Sequence, residues 1–296
     1  MTQFLSLLLN GLSLGAIYAL IALGFAVIFK ASEVVSFMHG SLLLFGAYAI
    51  ARLSASLGFW PGVVLGVLAT AGVGLLVERV LINRLRGAQV ISLAILTIGV
   101  DILLVTELTR RIGSDILNVA HPWGGRNVRF GDVGITENRL IAIGVAAVLI
   151  SAFFAVFKFS DWGVAMRAAA EDGETAALMG IRLGRVSALA WVVAGALAAV
   201  AGLFLVGSPT PGVQPGLQAV ALRAFPAAIL GGLDSTGGAL VGGLVIGITE
   251  TFTAGYENHL LFFGRGFSAV MPYVVMILVL LVRPSGLFGT KELTRV

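Results

Sequence analysis

Long apolar runs separated by short polar breaks set the plan of this chain. Runs long enough to cross a bilayer, about 20 residues each, fall at 4–29, 60–82, 91–111, 138–158, 186–206, 238–255 and 267–283. Two shorter ones fall at 40–57 and 218–232. Charged residues bound most of them, and Pro61 suits a first helical turn. The pattern predicts an all-α, polytopic integral membrane helix bundle of about eight to nine spans. Residues 1–296 form a single transmembrane domain, in which either short segment can be broken or re-entrant.

One polar break is too long for a plain connection. Residues 161–182 read DWGVAMRAAAEDGETAALMGIR. Ser160 or Asp161 can cap a helix by accepting an orphan backbone N–H. WGVAMRAAAED holds good helix formers up to Gly173, GETAALM makes a second short helix, and Gly180 can close it in the left-handed conformation. Loop 159–185 therefore reads as two short helices at the membrane surface. Ala168, Ala169, Ala170, Ala176 and Ala177 give them slim faces that suit a groove on another protein. An amphipathic helix lying on headgroups would carry large apolar residues and a Lys/Arg rim. This stretch carries four acids instead, which anionic lipid repels.

Composition narrows the class further. The chain is 58% hydrophobic and 11% charged, with mean hydropathy +1.02 and 39 glycines. A soluble domain carries about 25% charged residues, whereas small residues let membrane helices approach closely. The net charge of +4 is scattered over the loops, which argues for topology-setting charges and against nucleic acid. With no cysteine, disulfides and thiolate metal sites are excluded. MTQFLSLLLN lacks Lys and Arg, so the first run reads as a span and not as a cleaved signal.

With nine crossings, Lys30, Arg79, Arg84, Arg86, Lys158, Arg167, Arg182, Arg185, Arg283, Lys291 and Arg295 share one side. The other side holds Arg52, Arg110, Arg111, Arg126, Arg129, Arg139 and Arg265. The richer side is expected to be cytoplasmic. That puts loop 159–185 and the C-terminus inside, and the N-terminus and loop 112–137 outside. LGVLATAGVGLLVE (65–78) and GGALVGGLVIGITE (237–250) share Gly-rich faces and a terminal Glu while running in opposite directions. An inverted repeat and shared low complexity both account for this.

Several motifs together carry a family resemblance. ETAALMG (174–180) resembles the E-A-A-x-x-x-G coupling motif of ABC importer permeases, with Thr175 in place of the first Ala. GLSLGAIYALIALGFAVIF (11–29), VSFMHGSLLLFGAY (35–48), ERVLINRLR (78–86), ILTIGV (95–100), FPAAILGGLDSTGGALVGGLVIGITE (225–250) and RPSGLFG (283–289) follow in the same order. Together they resemble the permease subunits of branched-chain amino acid ABC importers over nearly the whole chain. Where that family usually shows N-F-A-H-G, this chain has Ser36-Phe37-Met38-His39-Gly40. The resemblance implies a prokaryotic cytoplasmic-membrane transporter subunit, not an enzyme. Its partners would be a second related permease, two ATPase subunits and an extracytoplasmic binding protein. ATP and Mg would be held by the ATPases and no cofactor by this chain. Coupling would fall to Arg167, Glu171, Glu174, Thr175, Ala176, Ala177 and Gly180, and the path would run between the two permeases. The cargo would be a branched-chain or other small hydrophobic amino acid; relatives of the family carry urea, amides or aromatic acids.

Ionisable groups inside spans default to functional hypotheses. Asp101 lies midway along its run, as a pathway residue or in an interhelical hydrogen bond to a Ser or Thr. Arg223 shares a short run with Pro226, whose ring breaks the helical ladder. Arg223 either attracts a carboxylate at the outer mouth or snorkels to the interface. His39, near a membrane boundary, reads as a structural or gating residue. Glu107 suits a local ion pair with Arg110 and Arg111, and interface positions account for Glu78 and Glu250. His121, Pro122 and Trp123 lie in the loop that would receive a binding protein. His39, His121 and His259 form no ligand-spaced metal cluster, and no G-x-x-x-x-G-K-[ST] loop is present to cradle phosphate. The competing readings are an ion-driven secondary transporter, which leaves loop 159–185 unexplained, and an intramembrane enzyme, for which no nucleophile–base pair is visible.

Overall fold

The computed structural model describes residues 2–85, 87, 89–113, 116–119, 121–123, 126–130, 133–207 and 212–289. The first helix, α1 (Thr2–Ser32), is apolar all round, and its second half is almost wholly buried. A helix with no polar face belongs in the middle of a bundle, and α1 is the central post here. It ends at Glu33, whose φ of 56° makes it the one non-glycine residue with positive φ among the described residues.

Then come α2 (His39–Leu57), α3 (Phe59–Val77), α4 (Val90–Ile112) and α5 (Glu137–Phe159). A π-turn, Glu78–Ile82, and a 3-10 turn, Asn83–Leu85, extend α3. Two surface helices, α6 (Asp161–Glu171) and α7 (Gly173–Leu178), precede α8 (Leu183–Leu205). The short pair α9 (Leu217–Leu222) and α10 (Phe225–Gly231) leads into α11 (Thr236–Gly255) and α12 (Met271–Val282). Among the described residues, seven helices are long and apolar enough to cross a membrane; Leu217–Gly231 and Met271–Val282 are shorter. The all-α polytopic expectation holds, with one addition. Residues 127–130 and 133–136 form an antiparallel two-stranded hairpin, β1–β2, with Asn127 opposite Thr136.

Close backbone approaches fix the directions. Cβ atoms built at Gly11 and Gly15 would lie 2.9 Å from the Cα atoms of Ile248 and Leu244, so α1 and α11 run antiparallel in near backbone contact. One built at Gly74 would lie 2.6 Å from the Trp191 carbonyl oxygen, and one at Gly195 2.9 Å from that of Thr70. Those contacts set α3 antiparallel to α8. Such small-residue seams are how membrane helices gain van der Waals contact.

One end of the bundle gathers the end of α1, the start of α11 and the α6–α7 loop. There the Lys30 ammonium donates to the Asp234 carbonyl (2.9 Å). The other end gathers Phe59, His121, Trp123 and Phe204. Loops 159–185 and 112–137 therefore lie at opposite ends, as the charge pattern predicts. Arg86, Lys291 and Arg295, which entered that pattern, lie outside the described residues, as does the C-terminal segment 290–296.

The short segments resolve differently from one another. Residues 40–57 belong to a helix of 19 residues, long enough to span. It starts inside the bundle, because 33–38 fold back as a non-helical segment. His39 therefore lies beside Gly24 of α1, wholly buried. The 218–232 run is a broken crossing, interrupted at Arg223–Ala224, with Pro226 in the first turn of α10, where its missing N–H costs nothing.

The helices fall into two matched sets running in opposite directions. In one, α1 leads into α2, α3 and α4; in the other, α8 leads into α9–α10, α11 and α12. Helix α3 packs along α8, and α11 along α1; α2 packs on α3, and α10 on α11; α1 meets α8 at the centre. Segments 65–78 and 237–250 thus occupy equivalent places on α3 and α11. That is the arrangement of an inverted repeat, with α5 and the α6–α7 loop as the connection between the sets.

Candidate functional site

The α6–α7 loop is built as a rigid element. The Ser160 hydroxyl accepts from the Gly163 N–H (3.1 Å) and caps α6. At Gly163 a Cβ would collide with the Phe157 carbonyl, so glycine lets α6 turn tightly off α5. The Trp162 indole N–H donates to the Val186 carbonyl (3.2 Å), tying α6 to α8. The Arg167 guanidinium donates to the Phe157 carbonyl and lies over the Phe157 ring, 5.2 Å from its centroid.

The break between the two helices is at Asp172, and Gly173 begins α7 rather than ending α6. Asp172 accepts from the Thr175 N–H (3.0 Å) and the Thr175 hydroxyl (2.6 Å). Those bonds, hydroxyl first, hold its carboxyl below the usual carboxylate range. Gly180 has φ of +90°, and the Ile181 N–H returns to the Ala176 carbonyl (3.0 Å), so the left-handed closure is present.

The exposed tip corrects one detail. Ala176 faces inward and is buried, while Glu174, Thr175 and Ala177 are exposed. Beside them Leu178 and Met179 are 87% and 80% exposed. Sequence reasoning passed over these two. Their signal was a pair of large apolar residues at the tip of a polar, capped loop. Two cavities of about 560 and 670 Å³ flank the loop. Lys30, Glu33 and Glu171 line both, joined by Glu174 in the first and by Arg167 and Asp234 in the second.

Within the bundle, Asp101 sits at the centre of α4. Its Oδ2 accepts from the Gln218 amide of α9 at 2.7 Å, a partner 117 positions away and neither Ser nor Thr. Its Oδ1 is buried without a hydrogen bond. Next to Gln218 on α2 is Gly40, where a Cβ would lie 3.1 Å from the Gln218 Cγ. His39 is wholly buried, its ring centroid 4.5 Å from that of Phe25, and neither ring nitrogen is hydrogen-bonded. Gly24 leaves the space it fills.

Arg223 meets a carboxylate of this same chain. Its guanidinium donates to Glu250 Oε1 at 2.9 Å, while the Tyr18 hydroxyl donates to Glu250 Oε2 at 2.8 Å. Glu250 is thus an ion-pair partner and more than an interface residue. Glu78 lies fully buried, 3.8 Å from Arg79. The expected local pairs of Glu107 with Arg110 (2.8 Å) and Arg111 (2.6 Å) are present. The fold thus brings Asp101, Gln218 and Gly40 together, keeps Arg223 with Glu250, and holds the coupling candidates at one end.

At the opposite end Phe59, Trp60, His121, Trp123 and Phe204 form an aromatic cluster. The Trp123 indole N–H donates to Asn138 Oδ1 at 3.0 Å. Burial among these rings lowers the His121 pKa. Pro122 is exposed beside them.

Residues 7–280 match the family "Branched-chain amino acid transport system / permease component". The high-affinity branched-chain amino acid transport system permease protein LivH of Escherichia coli (strain K12) is 32% identical, covering 99% of this chain and 98% of its own. BraD of Pseudomonas aeruginosa, described in the same words, is 32% identical with the same coverage. The probable branched-chain amino acid transport permease protein LivH of Methanocaldococcus jannaschii is 31% identical over 93% of this chain and 90% of its own. Among solved structures, PsaBC from Streptococcus pneumoniae in complex with Fab is similar in fold, with TM-score 0.50 and 15% identity over 93% of this chain and 91% of that one. With its spans, its ordered motifs and these relatives agreeing over nearly its full length, this multi-pass membrane protein belongs to the permease component family of branched-chain amino acid transport systems.

Proposed function

We propose that this chain is the membrane-spanning subunit of an ATP-driven importer, moving branched-chain or other small hydrophobic amino acids inward by alternating access. The observation that carries the reading is the α6–α7 loop. It is capped at both helix starts, tied to α5 and α8, and tipped with Leu178 and Met179. Two large apolar side chains on a rigid polar element outside the bundle suit a groove on a partner. That partner is one of two ATPase subunits, which hold the ATP and Mg. Glu171, Glu174, Thr175, Ala177 and Gly180 surround the contact. Buried Ala176 packs it from within, and exposed Arg167 ties α6 to the end of α5. Movement of the ATPases then rocks α5 and α8 as rigid bodies.

The other assignments follow from this orientation. The α6–α7 end is cytoplasmic and the N-terminus external, by the excess of Lys and Arg. A substrate-binding protein docks at the opposite end, on the loop around His121, Pro122 and Trp123. A second related permease pairs with this chain, and the path runs between the two. Mild-detergent purification from native membranes, with mass spectrometry of the co-purifying chains, tests the whole reading. Two ATPase chains and a second permease are expected. Recovery of this chain without an ATPase, even after cross-linking, would count decisively against it.

A further inference from the structure

Among the mid-membrane polar groups, Asp101 has an acceptor to spare. Both oxygens of Glu250 are engaged, by Arg223 and Tyr18, so that carboxylate has no open acceptor. His39 is sealed between Phe25 and Gly24. Asp101 has one neutral partner, the Gln218 amide, and a buried Oδ1 with none. Among the described residues no Lys, Arg or His forms an ion pair with it. A carboxylate in hydrocarbon surroundings is costly unless a cation or several donors compensate it. A buried acceptor left open calls for a missing donor.

The surroundings say which donor fits. Asp101 lies on the inner stripe of α4, in helical register with buried Leu93, Thr97, Leu108 and Ile112. One turn earlier, the Thr97 hydroxyl accepts from the Phe37 N–H at 3.1 Å, which holds the non-helical 33–38 segment against α4. The Phe37 ring lies 5.8 Å from that of Phe225, which opens α10 just after the other helix break. Leu222, against Gly40, completes an apolar wall beside Gln218. A carboxylate beside Gln218 and its apolar neighbour Leu222, with the Phe37 backbone held to α4 one turn away, matches a small apolar molecule bearing one cationic group.

We propose that Asp101 receives the α-ammonium group of the transported amino acid at mid-membrane, with Gln218 as the neutral placeholder it displaces. Leu222, Phe37 and Phe225 take the apolar side chain. The assignment rests on the importer reading and locates the station on the path at which the zwitterion's positive end is matched. Because α9 is six residues long and bounded by a helix break, it can carry Gln218 away from Asp101 while α4 stays in place.

The test uses the complete assembly of permeases and ATPases in proteoliposomes, with saturating binding protein and radiolabelled leucine as probe. Leucine uptake, binding-protein-stimulated ATP hydrolysis and thermal stability are measured for wild type, D101N, D101E and Q218L. D101N is expected to lose about tenfold in uptake, the scale of a lost charge-assisted bond, while stimulated hydrolysis and stability are kept. D101E should recover part of the uptake, and Q218L should lose less of it than D101N. Unchanged uptake in D101N overturns the proposal. So does equal loss in D101N and Q218L, which marks the pair as a structural tie between α4 and α9. A wild-type assembly whose hydrolysis ignores the binding protein overturns the importer reading instead, and this proposal with it.

Discussion

Arg223 and Glu250 stand 2.9 Å apart across the seam between the broken crossing and α11, and Tyr18 of α1 closes the group from the third side. Three helices are thereby joined at one carboxylate. Glu250 is nearly buried and Arg223 mostly so. Removing one partner of such a pair strands the other, at about 3–5 kcal/mol. E250A should therefore lower the unfolding temperature of the detergent-solubilised chain sharply, read by fluorescence-detected size exclusion. The double variant R223M/E250M should be closer to wild type than E250A. Equal stability of E250A and wild type would show that the pair holds nothing.

The α1–α11 seam leaves no room for a methyl group at Gly247, where a Cβ would collide with the Gly15 backbone. Since the obstacle is main chain, the helices must separate. G247A should cost about 1–3 kcal/mol, the usual range for overpacking. G72A, at a position open on all sides, is the control and should be silent in the same thermal assay.

Leu178 and Met179 are the large side chains at the α7 tip. The double variant L178S/M179S should fold with an unchanged unfolding temperature yet recover at least about tenfold less ATPase on co-purification, as expected for lost interface anchors. Full recovery of the ATPase would place the docking contact elsewhere.

Asp172 holds the start of α7 through Thr175. Its carboxyl sits below the usual range, so its stabilising bonds are complete above the ordinary carboxylate pKa and fade only as pH falls through the lower folded value. Transport coupling should therefore not depend on this cap between about pH 5 and pH 8. D172N, which keeps an acceptor, should remain coupled, whereas D172A should hydrolyse ATP with reduced uptake. The ratio of uptake to hydrolysis separates the two.

His121 behaves in the opposite sense to a salt-bridged histidine. Burial against Trp123 and Phe59 lowers its pKa, so the folded loop disfavours the charged form. Below the ordinary histidine value of about 6.5, the unfolded loop takes up a proton before the folded one does. Stability of the aromatic cluster should thus fall on acidification from that value down to the folded pKa. Tryptophan emission followed from pH 7.5 to 5 should report the loss, and H121F should remove the transition.

Much of this architecture was legible in the chain. Span lengths and flanking charges read out because lipid imposes them locally, and the Ser160 and Gly180 signals at the α6–α7 loop are equally local. Glu107 found its arginines because they sit three and four residues away. What escaped is pairing at a distance. Gln218 reaches Asp101 from 117 positions away, and Tyr18 reaches Glu250 from 232. No periodicity records such partners, so the chain alone shows neither the carboxylate that Arg223 meets nor the cation that Glu250 meets. The burial of His39 is hidden for a related reason. The non-helical return at 33–38 carries α2 inward before it starts, and a hydropathy window sees the polar break without its depth.

The two helix sets around α1 and α8 have the same packing plan but run in opposite directions. Their local shapes are not the same: α2 is one helix of 19 residues, whereas its counterpart is split into α9 and α10. In the alternating-access reading proposed above, exchanging the two bends between the sets would give the oppositely open form, so the proposed second conformation needs no packing plan that the first does not already contain.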